Sequence, residues 1–144
     1  MRVRDILRGK RDGVITARPY ERIDTLAHRL KNEGIGAVIV SGDGETMMGI
    51  ISERDVVRGI ADHGVEVLEM TVSDLMTRQV KTCTPRDGVK DLMAKMTRLR
   101  IRHLPVVDQG RIIGMISIGD VLKSRLEDME MEANVLRDIA IARR

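Results

Sequence analysis

Residues 49–56 read GIISERDV, and the same pattern returns at residues 114–121 as GMISIGDV. Each copy places a glycine and two apolar residues before a Ser-x-x-Asp motif. Three other blocks recur in the same order: VRDIL at 3–7 and VSDLM at 72–76, VITARP at 14–19 and VKTCTP at 80–85, IGAVIV at 35–40 and IRHLPV at 101–106. Matched blocks that keep one order indicate an internal duplication, so the chain is interpreted as two copies of one unit.

The duplication divides the chain into four parts. We predict a first unit at 1–62, a linker at 63–71, a second unit at 72–130 and a C-terminal helical extension at 131–144. Neither unit has enough apolar residues to form a stable hydrophobic core alone, so we expect the two units to pack together about a pseudo-twofold axis. Such packing leaves clefts where equivalent strands of the two units face each other.

Within each unit the hydrophobic pattern predicts the order strand, helix, strand, strand, helix. Apolar residues recur with helical spacing over 21–32 and 89–96. Short β-branched runs followed by turn residues indicate buried strands and hairpins. The predicted strands that precede the Ser-x-x-Asp blocks lie at 14–16, 37–40, 80–82 and 104–107. The expected fold class is α/β (α+β), with two β-α-β-β-α units packed together and a long C-terminal helix.

The composition excludes several classes of binding site. The chain has 144 residues, of which 42% are apolar and 33% charged, and its single aromatic residue is Tyr20. Platforms for single-stranded nucleic acid and aromatic cages need several flat rings, so those sites are excluded. Cys83 is the single cysteine, and no Cys/His spacing indicates a metal site. The core must be built from Val, Ile, Leu, Ala and the ten Met residues.

The charge balance is mildly basic, with a formal net charge of +3. The first 31 residues hold nine basic and four acidic residues, without the dense stripe typical of nucleic-acid binding, which stays a minor alternative. The N-terminal sequence lacks the apolar stretch of a signal peptide, and no run approaches 18 apolar residues. We therefore expect a cytoplasmic protein with no membrane contact.

The two Ser-x-x-Asp motifs, Ser52 to Asp55 and Ser117 to Asp120, lie where a buried strand meets the start of a helix. One interpretation is a capping box, in which serine and aspartate satisfy backbone N–H groups of the first turn. The other is a ligand site. A helix N-terminus offers N–H groups to a phosphate, and a carboxylate one turn in accepts ribose hydroxyls. Recurrence in both units favours nucleotide binding, and the serines can serve both purposes.

These blocks resemble the cystathionine-β-synthase (CBS) domain, and their duplication resembles a tandem CBS pair, or Bateman module, over nearly the full chain. The resemblance rests on the two Ser-x-x-Asp blocks, the segments that end at Pro19 and Pro85, and RHLPVVD at 102–108. It implies a stand-alone, non-enzymatic regulatory module that binds adenosine-containing ligands such as AMP, ADP, ATP, NAD or S-adenosylmethionine. AMP is the leading candidate, and no obligatory cofactor is expected.

The resemblance also implies roles for individual residues. In one cleft the ribose contact is Asp120, the phosphate contacts are Ser117, Gly119, Arg102 and His103, and the adenine contacts are Thr16, Arg18, Ile35, Gly36 and Ala37. In the other cleft the ribose contact is Asp55, the phosphate contacts are Ser52 and Arg54, and the adenine contacts are Thr82, Thr84 and Ile101. The first unit has Gly36 and Ala37 where the second unit has the basic residues Arg102 and His103. We therefore expect the Asp120 cleft to be the better site for an anionic nucleotide.

The C-terminal helix extends well beyond its counterpart in the first unit. Its apolar residues follow a heptad-like pattern: Leu122, Leu126, Met129, Ala133, Leu136 and Ala140. We predict a homodimer that shares this helix, and packing against a neighbouring unit stays open. The alternative function is an oligomerisation or protein-interaction module with vestigial clefts. An enzyme is not expected, because the sequence lacks a catalytic triad, a metal cluster and a phosphate loop.

Overall fold

The computed structural model describes residues 1–10 and 13–143. The helices are α1 Val3–Gly9, α2 Ile23–Glu33, α3 Glu53–His63, α4 Val72–Leu75, α5 Val89–Leu99 and α6 Ile118–Ala142, with a 3₁₀ helix at Gly64–Glu69. The strands are β1 Thr16–Ala17, β2 Ala37–Val40, β3 Gly49–Ser52, β4 His103–Asp108 and β5 Arg111–Ser117. This mixed α+β arrangement with a long C-terminal helix confirms the predicted fold class.

Both predicted hairpins are present. Strands β2 and β3 pair antiparallel, with Val40 opposite Gly49, and β4 and β5 pair antiparallel, with His103 opposite Ser117. Strand β1 adds to the first hairpin by pairing parallel with β2. The first unit therefore has a sheet of order β1-β2-β3, and the second has the two-stranded sheet β4-β5.

The strand predictions at 14–16 and 80–82 were wrong in detail. The first begins two residues later than predicted and consists of Thr16–Ala17. The second is reduced to an isolated parallel bridge between Cys83 and Val106. Pro105 occupies the position that Ile39 has in the first unit, and proline has no N–H to donate to a neighbouring strand. The parallel ladder of the second unit therefore does not extend beyond one bridge.

Each unit is built around its own hydrophobic core. The first core consists of Ala17, Ile23, Leu26, Leu30, Val38, Val40, Ile51, Val67, Val72 and Met76. The second consists of Val3, Cys83, Val89, Leu92, Met96, Leu104, Val106, Ile116 and Val121. Both are aliphatic with methionine, as the near-absence of aromatic residues requires.

The two units exchange their first helices. Val3 of α1 is fully buried in the second core, and Val72 of α4 is fully buried in the first. Equivalent backbone hydrogen bonds hold each helix in place: Val3 N–H donates to the Asp87 carbonyl at 2.9 Å, and Val72 N–H to the Glu21 carbonyl at 2.8 Å. The sequence showed VRDIL and VSDLM as a repeated block without assigning either a helix. The exchange joins the units, because each core needs the other repeat's helix.

Candidate ligand clefts between the two units

The two Ser-x-x-Asp motifs form capping boxes at strand-to-helix junctions. The Oγ atom of Ser52 accepts from the N–H of Asp55 at 3.4 Å, and Asp55 Oδ2 accepts from the N–H of Ser52 at 2.8 Å. Ser117 and Asp120 repeat the pattern at 3.1 and 2.9 Å. The capping interpretation is thus confirmed. Each serine also lines a cleft between the units, so the motifs stand where a ligand would meet a helix N-terminus.

The first cleft, here the Asp55 cleft, has a volume of about 300 Å³. Ser52, Arg54 and Asp55 line it as the sequence predicted, and Ile101 of the second unit lies across from them. Asp55 Oδ1 accepts from the hydroxyl of Thr77 at 3.1 Å, and its Oδ2 accepts from Ser52. The carboxylate is therefore held in one orientation at the edge of the cleft.

The Asp55 cleft is strongly cationic. Five basic residues line it against two acidic ones: Arg54, Arg58, Lys81, Arg100 and Arg102 against Glu53 and Asp55. Within residues 1–10 and 13–143, none of the five basic side chains forms an ion pair. The assignment of Arg102 to the Asp120 cleft was wrong, because Arg102 lines the Asp55 cleft. The charge argument that favoured the Asp120 cleft is reversed with it.

The second cleft, here the Asp120 cleft, has a volume of about 440 Å³ and is lined by Ser117 together with Ile35, Gly36 and Ala37. Among the described residues Asp120 itself does not line this cleft, but its Oδ2 accepts at 2.9 Å from the Nζ of Lys10, which does. Burial acts to raise the pKa of Asp120, but the bonds from the Ser117 N–H and Lys10 outweigh it and hold this pKa below its usual value. Asp120 is therefore ionised at neutral pH.

A thin wall separates the clefts, because Gly36, Ala37 and His103 line both of them. An added Cβ on Gly36 would lie 3.3 Å from Cε1 of His103, so the imidazole packs directly over this glycine. Burial lowers the pKa of His103 below its usual value of 6.5. The imidazole is then neutral at pH 7 and offers a ligand hydrogen bonding but no positive charge.

Four predicted adenine contacts do not line either cleft in the described part of the chain: Thr16, Arg18, Thr82 and Thr84. Arg18 donates instead to the Ser41 carbonyl at 3.2 Å, and the Thr84 hydroxyl donates to Asp87 at 3.2 Å. The residues one or two positions before Thr16 and Thr82 line the clefts instead: Val14 and Ile15 in one cleft, and Val80 and Lys81 in the other.

Gly119 also lies outside both cleft linings in the described residues. Conversely, sequence reasoning did not assign Lys10, Arg58 or Lys81 to a cleft, and no local signal marks them. Arg100 carries one signal, since it alternates with Arg98 and Arg102 on either side. It adopts a left-handed backbone with φ of 54°, at the helix end where the first unit has Gly34.

Other candidate features do not form sites. No group of metal-ligating side chains is present in residues 1–10 and 13–143. Burial raises the pKa of the Cys83 thiol to about 11, so this cysteine is a poor nucleophile. Tyr20 is 74% exposed and lines neither cleft among the described residues. In the same described residues, no helix has both the length and the apolar character needed to span a bilayer.

The chain matches the CBS domain family twice, over residues 3–62 and 72–127. The mitochondrial CBS domain-containing protein CBSX3 of Arabidopsis thaliana is 39% identical over 115 residues, which cover 78% of this chain. The chain spans about half of that relative, 55% of its length.

Two solved structures are closely similar. The CBS-domain containing protein ATU1752 from Agrobacterium tumefaciens is 42% identical with a TM-score of 0.81, over 86% of this chain and 92% of that one. The CBS domain pair of protein MJ0100, solved in complex with 5′-methylthioadenosine and S-adenosyl-L-methionine, is 27% identical with a TM-score of 0.75. That match covers 90% of this chain and 98% of the other.

Proposed function

The chain belongs to the CBS domain family as a tandem pair, and from this premise we propose that it is a non-enzymatic regulatory module that binds adenosine nucleotides in its two clefts. The observation that carries the proposal is that each capping-box serine lines a cleft between the units. At each junction a helix N-terminus stands at a cavity of nucleotide size; Asp55 lines its cavity directly, whereas Asp120 is bonded to Lys10 and Ser117, which line the other. This combination suits a phosphate and a ribose in one ligand.

The ligand is expected to be an anionic adenosine compound, with AMP as the leading candidate and ADP, ATP or NAD as further ones. The complex of MJ0100 with two adenosine compounds supports the nucleoside part. The basic residues of the Asp55 cleft support the phosphate part. No Phe, Tyr or Trp side chain lines either cleft in the described residues, so aliphatic side chains such as Ile35 and Ile101 would hold the purine.

Binding would regulate by changing the relative packing of the units. Both clefts are lined by residues of both units, and the units also share the exchanged helices α1 and α4. A ligand that bridges them favours the packing to which it binds more tightly. The regulated partner is not identified by the chain, and the cytoplasmic location stays a prediction from the sequence.

Saturating nucleotide is expected to raise the melting temperature. A ligand present at 100 times its dissociation constant stabilises the native state by about 2.7 kcal/mol, which corresponds to about 5–10 °C for a domain of this size. A thermal-shift panel of AMP, ADP, ATP, NAD and S-adenosylmethionine checks this, with guanosine monophosphate as the control for the base. If no adenosine compound shifts the transition, the clefts are vestigial and the proposal is wrong.

We also propose that the protein is a homodimer in which α6 contributes to the interface. Every described residue from Met129 to Arg143 is exposed, including the large apolar residues Met129, Met131, Val135, Leu136, Ile139 and Ile141. An isolated helical segment of about 15 residues is only marginally stable in water. A second copy that covers these apolar side chains would supply the missing packing.

Deleting residues 128–144 is expected to convert the dimer into a monomer, as measured by light scattering or sedimentation. Leu136→Glu is expected to have the same effect, because it places a charge in the apolar surface of α6. Arg137→Glu introduces the same side chain at the adjacent position and serves as the matched control. A deletion variant that stays dimeric would contradict the role of α6 in the interface.

A further inference from the structure

Lys10 connects the end of the first helix to the ribose-binding motif of the other repeat. Its backbone N–H caps α1 by donating to the Leu7 carbonyl at 3.1 Å. Its Nζ donates to Asp120 Oδ2 and to the Met115 carbonyl, both at 2.9 Å. These two bonds hold the ammonium group at the surface of the Asp120 cleft, which Lys10 lines.

An ammonium group has three N–H donors, so these bonds leave one for a ligand. The Asp120 carboxylate likewise keeps capacity to accept, because both of its described hydrogen bonds use Oδ2. Asp120 lies one hydrogen bond beyond the lining of the cavity, so a ribose hydroxyl that reaches past Lys10 would bind Oδ1 while Oδ2 continues to position Lys10. The ion pair does not block a nucleotide, but supplies it with a fixed positive charge next to the predicted ribose acceptor.

Lys10 is also the source of charge in this cleft. With His103 neutral, Lys10 is the one charged residue among the described residues that line the cavity. The remainder is mostly apolar, with Val14, Ile15 and Ile35 on one side. The Lys10 side chain is 37% exposed, so solvent screens its charge in part, but no other charge in the cavity competes with it.

We propose that Lys10 is the specificity-determining residue of the Asp120 cleft and that it selects adenosine ligands that carry a phosphate over neutral or cationic ones. The inference rests on the proposed function and adds to it the ligand class of this cleft. Lys10 acts by direct contact with the phosphate, whereas Asp120 both accepts from the ribose and positions Lys10.

The test measures binding of three ligands by calorimetry: AMP, neutral 5′-methylthioadenosine and cationic S-adenosylmethionine. All variants carry Asp55→Ala, which removes the predicted ribose acceptor of the other cleft. Lys10→Met is expected to weaken AMP binding about 10- to 100-fold, as for the loss of one charge-assisted hydrogen bond. Binding of 5′-methylthioadenosine is expected to stay within about three-fold, and that of S-adenosylmethionine to become tighter through loss of repulsion.

Two further variants keep the result interpretable. Lys10→Arg retains the charge and is expected to restore the preference for AMP, and Lys31→Met removes an exposed lysine of α2 as the matched control. Equal losses of affinity for AMP and 5′-methylthioadenosine would mean that Lys10 only holds α1 in place. Unchanged AMP affinity would mean that Lys10 does not contact the phosphate. Either result overturns this inference and leaves the proposed nucleotide binding intact. If the parent chain binds none of the three ligands, the proposed function fails together with it.

Discussion

Replacing Arg102 with Met is expected to weaken ATP binding in the Asp55 cleft by about 10- to 100-fold, the effect of losing one hydrogen bond between a charged donor and a phosphate. Arg102 lines this cleft with four other basic residues, and the excess of positive charge suits a chain of phosphates better than a single one. Adenosine, which has no phosphate, is expected to lose less than about three-fold. Calorimetric titration of both ligands measures the difference.

Arg98→Met is the matched control for this prediction. Arg98 stands in the same alternating row but lines neither cleft among the described residues, so ATP binding is expected to stay unchanged. The two aspartates provide an independent comparison of the clefts. Asp55→Ala is expected to cost more ATP affinity than Asp120→Ala, and equal losses would contradict the difference in charge between the clefts.

Arg100→Gly gives a second variant in the same cleft, with opposite effects on stability and binding. Arg100 adopts φ of 54°, whereas the matching position of the first unit is Gly34 with φ of 64°. A left-handed backbone costs a non-glycine residue about 1–2 kcal/mol, so the glycine variant is expected to be more stable to denaturant. It is also expected to bind ATP less tightly, which would indicate that the strained arginine is kept for binding.

Val3→Ala is expected to destabilise the second unit, although Val3 belongs to the first unit in the sequence. Val72→Ala is expected to destabilise the first unit, although Val72 belongs to the second. Each removes two fully buried methyl groups, which costs about 2 kcal/mol including the cavity. Because Val3 packs in the second core, its loss is expected to raise hydrogen exchange first in α5 and β4. Loss of Val72 is expected to do so in α2 and β2. Native-state hydrogen exchange, resolved by residue, makes the comparison.

Val57→Ala on α3 is the control for the exchange measurements, because Val57 is 63% exposed and its loss leaves no cavity. Faster exchange in α2 rather than α5 after Val3→Ala would contradict the exchange of helices. Uniform acceleration in both units with either variant would show that they unfold as one body, with no local role for either helix.

Much of the site's local geometry was predictable from sequence. The positions of Ser52, Asp55, Ser117 and Asp120 followed from one repeated motif, because a capping box needs residues only three apart on one helix turn. The hairpins followed from β-branched runs and turn residues for the same reason. Such features depend on neighbours in the chain, and the sequence contains all of them.

The partners across the clefts were not predictable in the same way. Thr16 and Thr82 were named as adenine contacts from the family resemblance, whereas the residues that line the clefts come one or two positions earlier in the chain. Arg102 was assigned to the other cleft from the family resemblance, because a motif at a strand start does not show which cavity its side chain faces. Lys10 had no signal, since its partner Asp120 lies 110 residues away in the chain.

The sequence by itself determined that the chain is a duplicated CBS pair with two capped helix starts beside two clefts, because these features follow from the repeat and from local spacing. The tertiary structure alone decided which cleft is lined by the excess of basic residues and which helix completes which core. It also decided that Lys10 donates to Asp120. Those outcomes depend on how the two units pack against each other, and packing brings together side chains that no spacing along the chain relates.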